Sequence, residues 1–173
     1  MDTLNNEPQT SCSVVYLGRT GYLQARELQK VLHRKVSEGS LSSILLLLEH
    51  PHIYTLGRRG KLSDILVSEN TLTELGITVY HTDRGGEVTY HGPGQLVGYP
   101  IINLKSSKTG LGPLKYVKAL EATLIVTLKE FGLSGENFRR PTGVWVENNK
   151  IAAIGVKVSK GTTLHGFALN VSP

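Results

Sequence analysis

Cysteine is nearly missing from this chain of 173 residues. Cys12 is the only one, so no internal disulfide and no zinc site built on cysteine pairs is available. Long apolar runs are missing as well: Ile44 to Leu48 is the longest, far short of the roughly 20 residues that cross a bilayer, and no membrane partner is expected. Aromatic residues make up 6% and there is no long basic tract, so the net charge of +5 points to an acidic protein partner rather than to nucleic acid. The stretch from Met1 to Ser11 is polar and acidic and has no apolar core. It reads as neither a secretory signal nor an Arg-rich transit sequence, and a cytoplasmic location is the expectation. Cys12 closes this polar leader, 1–12, where an exposed thiol outside any catalysis is expected.

What is present is the composition of an ordinary globular protein, 39% hydrophobic and 19% charged. The length suits one domain, 13–173. Ser13 to Leu17 reads as a first strand, and a helix from Tyr22 to Ser37 carries Ala25, Leu28, Val31 and Leu32 on one face until Gly39 ends it. Ile44 to Leu48 reads as a central strand covered on both faces. Glu49-His50-Pro51-His52 follows; its histidines either line a ligand site at the strand's end or face solvent in a turn. Thr55 to Gly60 reads as a basic, glycine-flanked loop, Glu69 to Leu75 as a short helix, and Ile77 to His81 as a strand. Leu96 to Leu104 reads as another strand and Lys105 to Gly112 as a polar loop. Pro113 starts the strongest helix, with Leu114, Val117, Leu120, Leu124, Leu128 and Phe131 as its buried stripe and Gly132 as its end. The last third reads as β: Gly143 to Glu147, a turn at Asn148-Asn149, Lys150 to Val158, a turn around Gly161, and Thr162 to Val171. Two long helices among roughly six strands, without strict alternation, predict an α+β fold, a mixed α/β sandwich with a mixed or largely antiparallel sheet.

Between the strands at 77–81 and 96–104 lies the densest chemistry of the chain, Arg84-Gly85-Gly86-Glu87-Val88-Thr89-Tyr90-His91-Gly92-Pro93-Gly94-Gln95. So many glycines disfavour helix and ordinary strand and suit a backbone that turns sharply or lets a ligand come close. Arg84 can clamp an anion, His91 titrates near neutrality, and Gln95 both donates and accepts hydrogen bonds. A polar surface hairpin is the plain alternative.

Taken with Lys150-Ile151-Ala152-Ala153-Ile154-Gly155 and His165-Gly166-Phe167-Ala168-Leu169-Asn170-Val171, this motif resembles the octanoyltransferase family that starts protein lipoylation. The resemblance covers nearly the whole chain. It implies a biotin/lipoate protein ligase-like catalytic domain and transfer of an octanoyl group from octanoyl-acyl carrier protein to a lysine of lipoyl domains. The implied acceptors are 2-oxoacid dehydrogenases and the glycine cleavage H protein; no cofactor and no metal are implied. The family works through a cysteine thioester beside a lysine that promotes the thiolate and shuttles protons, a pairing with a sound physical basis. Lys150 takes the lysine position. Arg84, Gly85, Gly86, Glu87, Val88, Thr89, Tyr90 and His91 would form one wall of the site. Ala153, Ile154, Gly155, Gly166, Phe167 and Ala168 would line the other with small or apolar groups, as an eight-carbon chain requires. His91 and His165 would polarise the thioester carbonyl or relay protons, or else serve as hydrogen-bonded core.

The family's nucleophile lies in a Pro-Cys-Gly element downstream of the Asn-Val segment, and Val171-Ser172-Pro173 stops before it. The chain therefore reads as a domain incomplete at its C-terminus, with little or no transfer activity of its own. Two rival readings stand beside this one. An ATP-dependent lipoate or biotin ligase shares the fold and needs no cysteine. A non-catalytic carrier-protein or lipoyl-domain binding module would use Lys105, Lys108, Lys115 and Lys118 as a face for an acidic partner.

Overall fold

A computed structural model describes residues 11–105, 111–137 and 141–173. The strands are β1 (Cys12–Arg19), β2 (Ser43–Glu49), β3 (Ile53–Leu56), β4 (Thr78–His81), β5 (Val88–His91), β6 (Gln95–Ile101), β7 (Val144–Val146), β8 (Asn149–Ser159) and β9 (Thr162–Asn170). The α-helices are α1 (Tyr22–Ser37), α2 (Glu69–Glu74) and α3 (Pro113–Glu130). Six strands form one sheet in the order β1-β2-β6-β9-β8-β7, antiparallel throughout except for the parallel β1/β2 pair. A second sheet, β4-β3-β5, has one parallel and one antiparallel pair. The α+β expectation with a mixed, largely antiparallel sheet holds. The division into two sheets is new.

Alternation explains how the large sheet is covered. Ile44, Leu46 and Leu48 of β2 are buried with Val97, Tyr99 and Ile101 of β6 and Ala168 of β9, and α1 packs on them through Ala25 and Val36. On the opposite face Ala152 and Leu169 meet Leu124 and Leu128 of α3, which Pro113 starts at its first position. The reading of Ile44 to Leu48 as covered on both faces is corrected accordingly: Leu45 and Leu47 are only half-buried. Within α1 the inward positions are Tyr22, Ala25, Gln29 and Val36, while Val31 is 50% exposed. Within α3 the stripe runs through Tyr116, Leu120, Glu121, Leu124 and Leu128; Leu114 and Phe131, at the two ends of the helix, are exposed.

Four further boundaries shift. Thr55-Leu56 belongs to β3, and only Gly57 onward turns. Val88 to His91, read as part of a glycine-rich loop, is strand β5, paired in register with β3. Cys12 opens β1 rather than ending a leader; residues 1–10 lie outside the described ones, as does Lys108. The β7/β8 turn falls at Glu147-Asn148, with Glu147 at φ 53°, one residue earlier than the asparagine pair suggested. The β8/β9 turn carries Lys160 at φ 53° and Gly161 at φ 83°, the two positive angles of a type I′ hairpin, which matches the twist of its strands. No helix among the described residues is long and apolar enough to cross a membrane.

Candidate functional site

The segment between β4 and β5 crosses back over the α1 face of the large sheet. Gly85 N–H donates to Val156 O of β8 at 3.0 Å, and Asp83 pairs with Lys157 of the same strand. This crossing pins Arg84 between the two sheets with only 6% of its surface exposed. Its Nη2 donates to Thr55 O at 2.7 Å, Thr55 Oγ1 at 2.9 Å and Glu87 O at 3.0 Å, while Nη1 donates to Gly85 O at 2.9 Å. Every acceptor is uncharged, and Nε has no partner among the described residues. Burial accordingly pushes the Arg84 pKa down. A side chain at Gly57 would stand 2.7 Å from Nη1 and 2.5 Å from Gly86 O, so the guanidinium cradle needs a glycine there.

His91 ends β5 beside it. Burial pushes its pKa down to about 3, against the pull of the Gln95 hydrogen bond, and leaves the ring neutral. Its Nδ1 donates to Gln95 Oε1 at 2.7 Å, Gln95 Nε2 donates to Asn170 Oδ1 at 2.9 Å, and Asn170 Nδ2 donates to Lys150 O at 3.4 Å. One chain of hydrogen bonds thus ties the three sequence motifs together. Below it, His50 is fully buried: Nδ1 donates to Thr20 O at 2.6 Å and Nε2 accepts from Tyr99 Oη at 2.7 Å. Of the two histidines left open by the sequence, His50 therefore belongs to the site's support. His52 is exposed and hydrogen-bonds Tyr90 Oη.

Between these groups lies an open depression of about 320 Å³. Arg84, Thr89 and His91 form one wall. Ala153 and Gly155 of β8 with His165, Gly166, Phe167 and Ala168 of β9 form the other. Gly166 is where two backbones touch: an added Cβ would lie 2.1 Å from Gly98 O and 2.6 Å from Pro100 Cδ. Three contributors were not foreseen. Tyr22 and Tyr99 line the pocket, and Asp83 accepts from His165 Nε2 at 2.9 Å. Asp83 stands next to the motif; the tyrosines reach the pocket from distant elements.

Other expected wall residues do not line this pocket. Gly85, Gly86 and Glu87 build the Arg84 cradle through their carbonyls and the β8 contact. Val88 pairs with Leu56 and Tyr90 with Tyr54 in the small sheet, and Ile154 packs toward α3. Lys150 lies beyond a register irregularity of the β7/β8 pair, where Val144 pairs with Ala152 and Trp145 with Lys150, and it is not among the lining residues. Its Nζ donates to Thr142 O at 3.1 Å and lies 5.2 Å from the centre of the Trp145 ring. Cys12, exposed at the start of β1, is not among the lining residues. Lys115 and Lys118 project from α3, across the sheet from the pocket, and Lys105 is exposed.

A family model described as the lipoyl protein ligase A/B catalytic domain matches residues 21–173. An octanoyltransferase of Solibacter usitatus is 49% identical over 162 residues, which cover 94% of this chain and 73% of that protein. An octanoyltransferase of Acidobacterium capsulatum is 46% identical over 171 residues, covering 92% of this chain and 70% of that one. Among solved structures, a lipoate-protein ligase A bound with ATP matches with a TM-score of 0.71 at 16% identity, over 93% of this chain and 67% of its own. At that identity the likeness is one of fold.

Proposed function

The chain belongs to the lipoyl protein ligase A/B catalytic-domain family and to its octanoyltransferases, and on that premise we propose that its pocket holds an octanoyl group during transfer to a lipoyl-domain lysine. The observation that carries this reading is the convergence of three separate segments, 84–91, 153–155 and 165–168, on one pocket with a polar and an apolar side. Ala153, Gly155, Gly166 and Ala168 offer small surfaces for an alkyl chain. Arg84, with its partnerless Nε, and the neutral His91 supply polar groups for the acyl carbonyl. The Phe167 ring packs on the α3 side of the sheet with Leu96 and Ile154, so its contribution to the pocket wall leaves the small surfaces of Gly155, Gly166 and Ala168 open to the alkyl chain.

The donor in this reading is octanoyl-acyl carrier protein and the covalent intermediate a cysteine thioester, with Lys150 as the group that lowers the thiol pKa. Lys150 holds only one exposed hydrogen bond, to Thr142 O, and its strand is tied to the pocket through Asn170. No cysteine of these 173 residues lines the pocket, so this chain by itself is a binding domain with little transfer activity. The location of Lys115 and Lys118 favours no docking of a carrier at α3, because a thioester delivered there would face the wrong side of the sheet.

Intact-mass analysis after mixing with octanoyl carrier protein and a lipoyl domain tests the reading. No adduct on the 173-residue chain and no octanoylated lipoyl domain are expected. A thioester on Cys12 or a modified acceptor would overturn the role assigned to the missing thiol. Octanoylation that depends on ATP and free octanoate would establish the ligase reading instead.

A further inference from the structure

The acyl pocket is the first of three depressions that follow one another along α1. A second, of about 220 Å³, shares His165 with it and is lined also by Arg26, Gln29, Lys30, Asp83 and Leu164. A third, of about 590 Å³, shares Lys30 with the second and adds His33, Arg34, Ser37, Glu38 and Lys160. At about 1.5 Å per helical residue, Arg34 lies about 18 Å along the axis from Tyr22 of the acyl pocket. Three buried polar atoms on this row have no partner among the described residues: Arg26 Nε, Gln29 Nε2 and Ser37 Oγ. Gln29 is only 1% exposed, and its Oε1 already accepts from the main-chain N–H of His165 at 2.9 Å. Its Nε2 is a donor that calls for a carbonyl or anionic oxygen, because an orphaned buried donor is costly.

Charge follows the same line. Asp83 in the middle depression is held by Lys157 at 2.6 Å and by His165 at 2.9 Å, and Glu27 beside it is held by Lys30 at 2.6 Å. At the outer end Arg34 and Lys160 are exposed and have no ion-pair partner among the described residues. Glu38 is the one acid that lines the outer depression with them.

We propose that this row is the docking track of an acidic carrier protein, whose phosphate-bearing thioester arm lies along α1 while its acyl end fills the pocket. The proposal rests on the acyl-transfer reading. A carrier presents its acyl group on phosphopantetheine, a flexible arm with amide groups and a phosphodiester. The amide carbonyls match the orphaned donors of Arg26 and Gln29, and the phosphodiester matches the cations farther out. The acidic surface of the carrier body then meets Arg34 and Lys160. A free acid would use none of this length, so the row separates a carrier-fed reaction from one that starts with free octanoate.

Calorimetry on the 173-residue chain tests this without requiring turnover. N-butyloctanamide, a mimic of octanoyl-lysine, has no arm and reports the acyl pocket alone. Octanoyl-pantetheine adds the amides, and octanoyl-pantetheine 4′-phosphate adds the anion. The phosphate should tighten binding by about tenfold, and the gain should shrink as salt rises. In nitrogen NMR both pantetheines should move the Gln29 side-chain amide, which N-butyloctanamide should leave in place. Arg34→Gln combined with Lys160→Asn changes two exposed side chains, and asparagine tolerates the φ of 53° at the second position. The double variant should bind octanoyl carrier protein about fivefold or more weakly and bind N-butyloctanamide unchanged. Equal affinities for the two pantetheines, an unmoved Gln29 amide, or carrier binding that is lost instead on Lys115→Gln with Lys118→Gln would overturn the proposal while the acyl-binding reading stands. So would α1 resonances that move with a lipoyl domain but not with the carrier. Failure of all three small ligands to bind would overturn both.

Discussion

Acidification should weaken this fold through His91. The ring is buried between Tyr22, His50 and Arg84, and its folded-state pKa of about 3 lies far below the 6.5 of an exposed histidine. A depressed folded pKa means that the unfolded chain takes up the proton first. The stabilisation is therefore complete above pH 6.5 and is lost as pH falls from 6.5 toward 3. Each unit corresponds to about 1.4 kcal/mol, so His91 alone removes about 2 kcal/mol by pH 5, and about 5 kcal/mol if the whole window is traversed. Against a typical stability of roughly 5–15 kcal/mol, that is a large part of the total. His50 and His165 are also lowered by burial and act in the same direction. Asp83 loses its stabilising contribution only in the acid range below an ordinary carboxylate pKa, so work between pH 7 and pH 5 isolates the histidines. Urea unfolding at pH 7, 6 and 5 would be compared for the native chain and His91→Gln. The variant should be less stable at pH 7 but should lose about 2 kcal/mol less on going to pH 5. Parallel pH dependences for the two proteins would refute the burial argument.

Gly166→Ala drives a methyl group into Gly98 O and Pro100, neither of which can swing away, and should cost about 2–3 kcal/mol by thermal or urea unfolding. Gly98→Ala meets first the Phe167 ring, 2.2 Å from the added carbon and on the α3 side of the sheet; a side chain can shift where a backbone cannot, so it should cost less stability than Gly166→Ala and leave octanamide binding little changed. Arg84→Lys cannot serve four oxygens around the Thr55 and Gly85 cradle, and a loss of about 2 kcal/mol or more is expected in the same unfolding assay. Shortening the acyl chain from eight to six carbons removes two methylenes worth about 0.8 kcal/mol each, so calorimetry should show affinity falling roughly 15-fold.

Much of the fold was legible in the sequence. The 3.6 period of α1 and α3 and the alternation of β8 and β9 placed these elements within a residue or two. β3 escaped because Ile53 to Leu56 is short and runs straight into Gly57, so the glycine-flanked arginines dominated the reading. The motif at 84–95 looked like continuous loop for a similar reason. Its glycines turn the chain at both ends, while Val88 to His91 needs only a partner strand, which local composition cannot reveal. Leu114 and Phe131 satisfy helical spacing but stand exposed at the two ends of the helix, and spacing does not say how far a packing partner extends.

The candidate site divides in the same way. Arg84, His91, Gly155 and Gly166 were identifiable because each sits in a motif whose composition is odd for its position. Tyr22, Tyr99 and Asp83 looked ordinary. Tyr22 begins an amphipathic helix and Tyr99 continues an apolar strand, and only packing brings them to the pocket. Lys150 was found by resemblance, and the register irregularity that separates it from Ala152 on β8 leaves no mark in the local sequence.

The most direct test of the account is where an octanoyl chain settles. A larger depression of about 680 Å³, lined by Leu62, Ile65, Val67, Leu72, Ile77 and Val79, offers more room than the proposed pocket. Nuclear Overhauser contacts from the methylenes of N-butyloctanamide should reach the Ala153 and Ala168 methyls and the Tyr99 ring. Contacts confined to Leu72, Ile77 and Val79 would contradict the central claim.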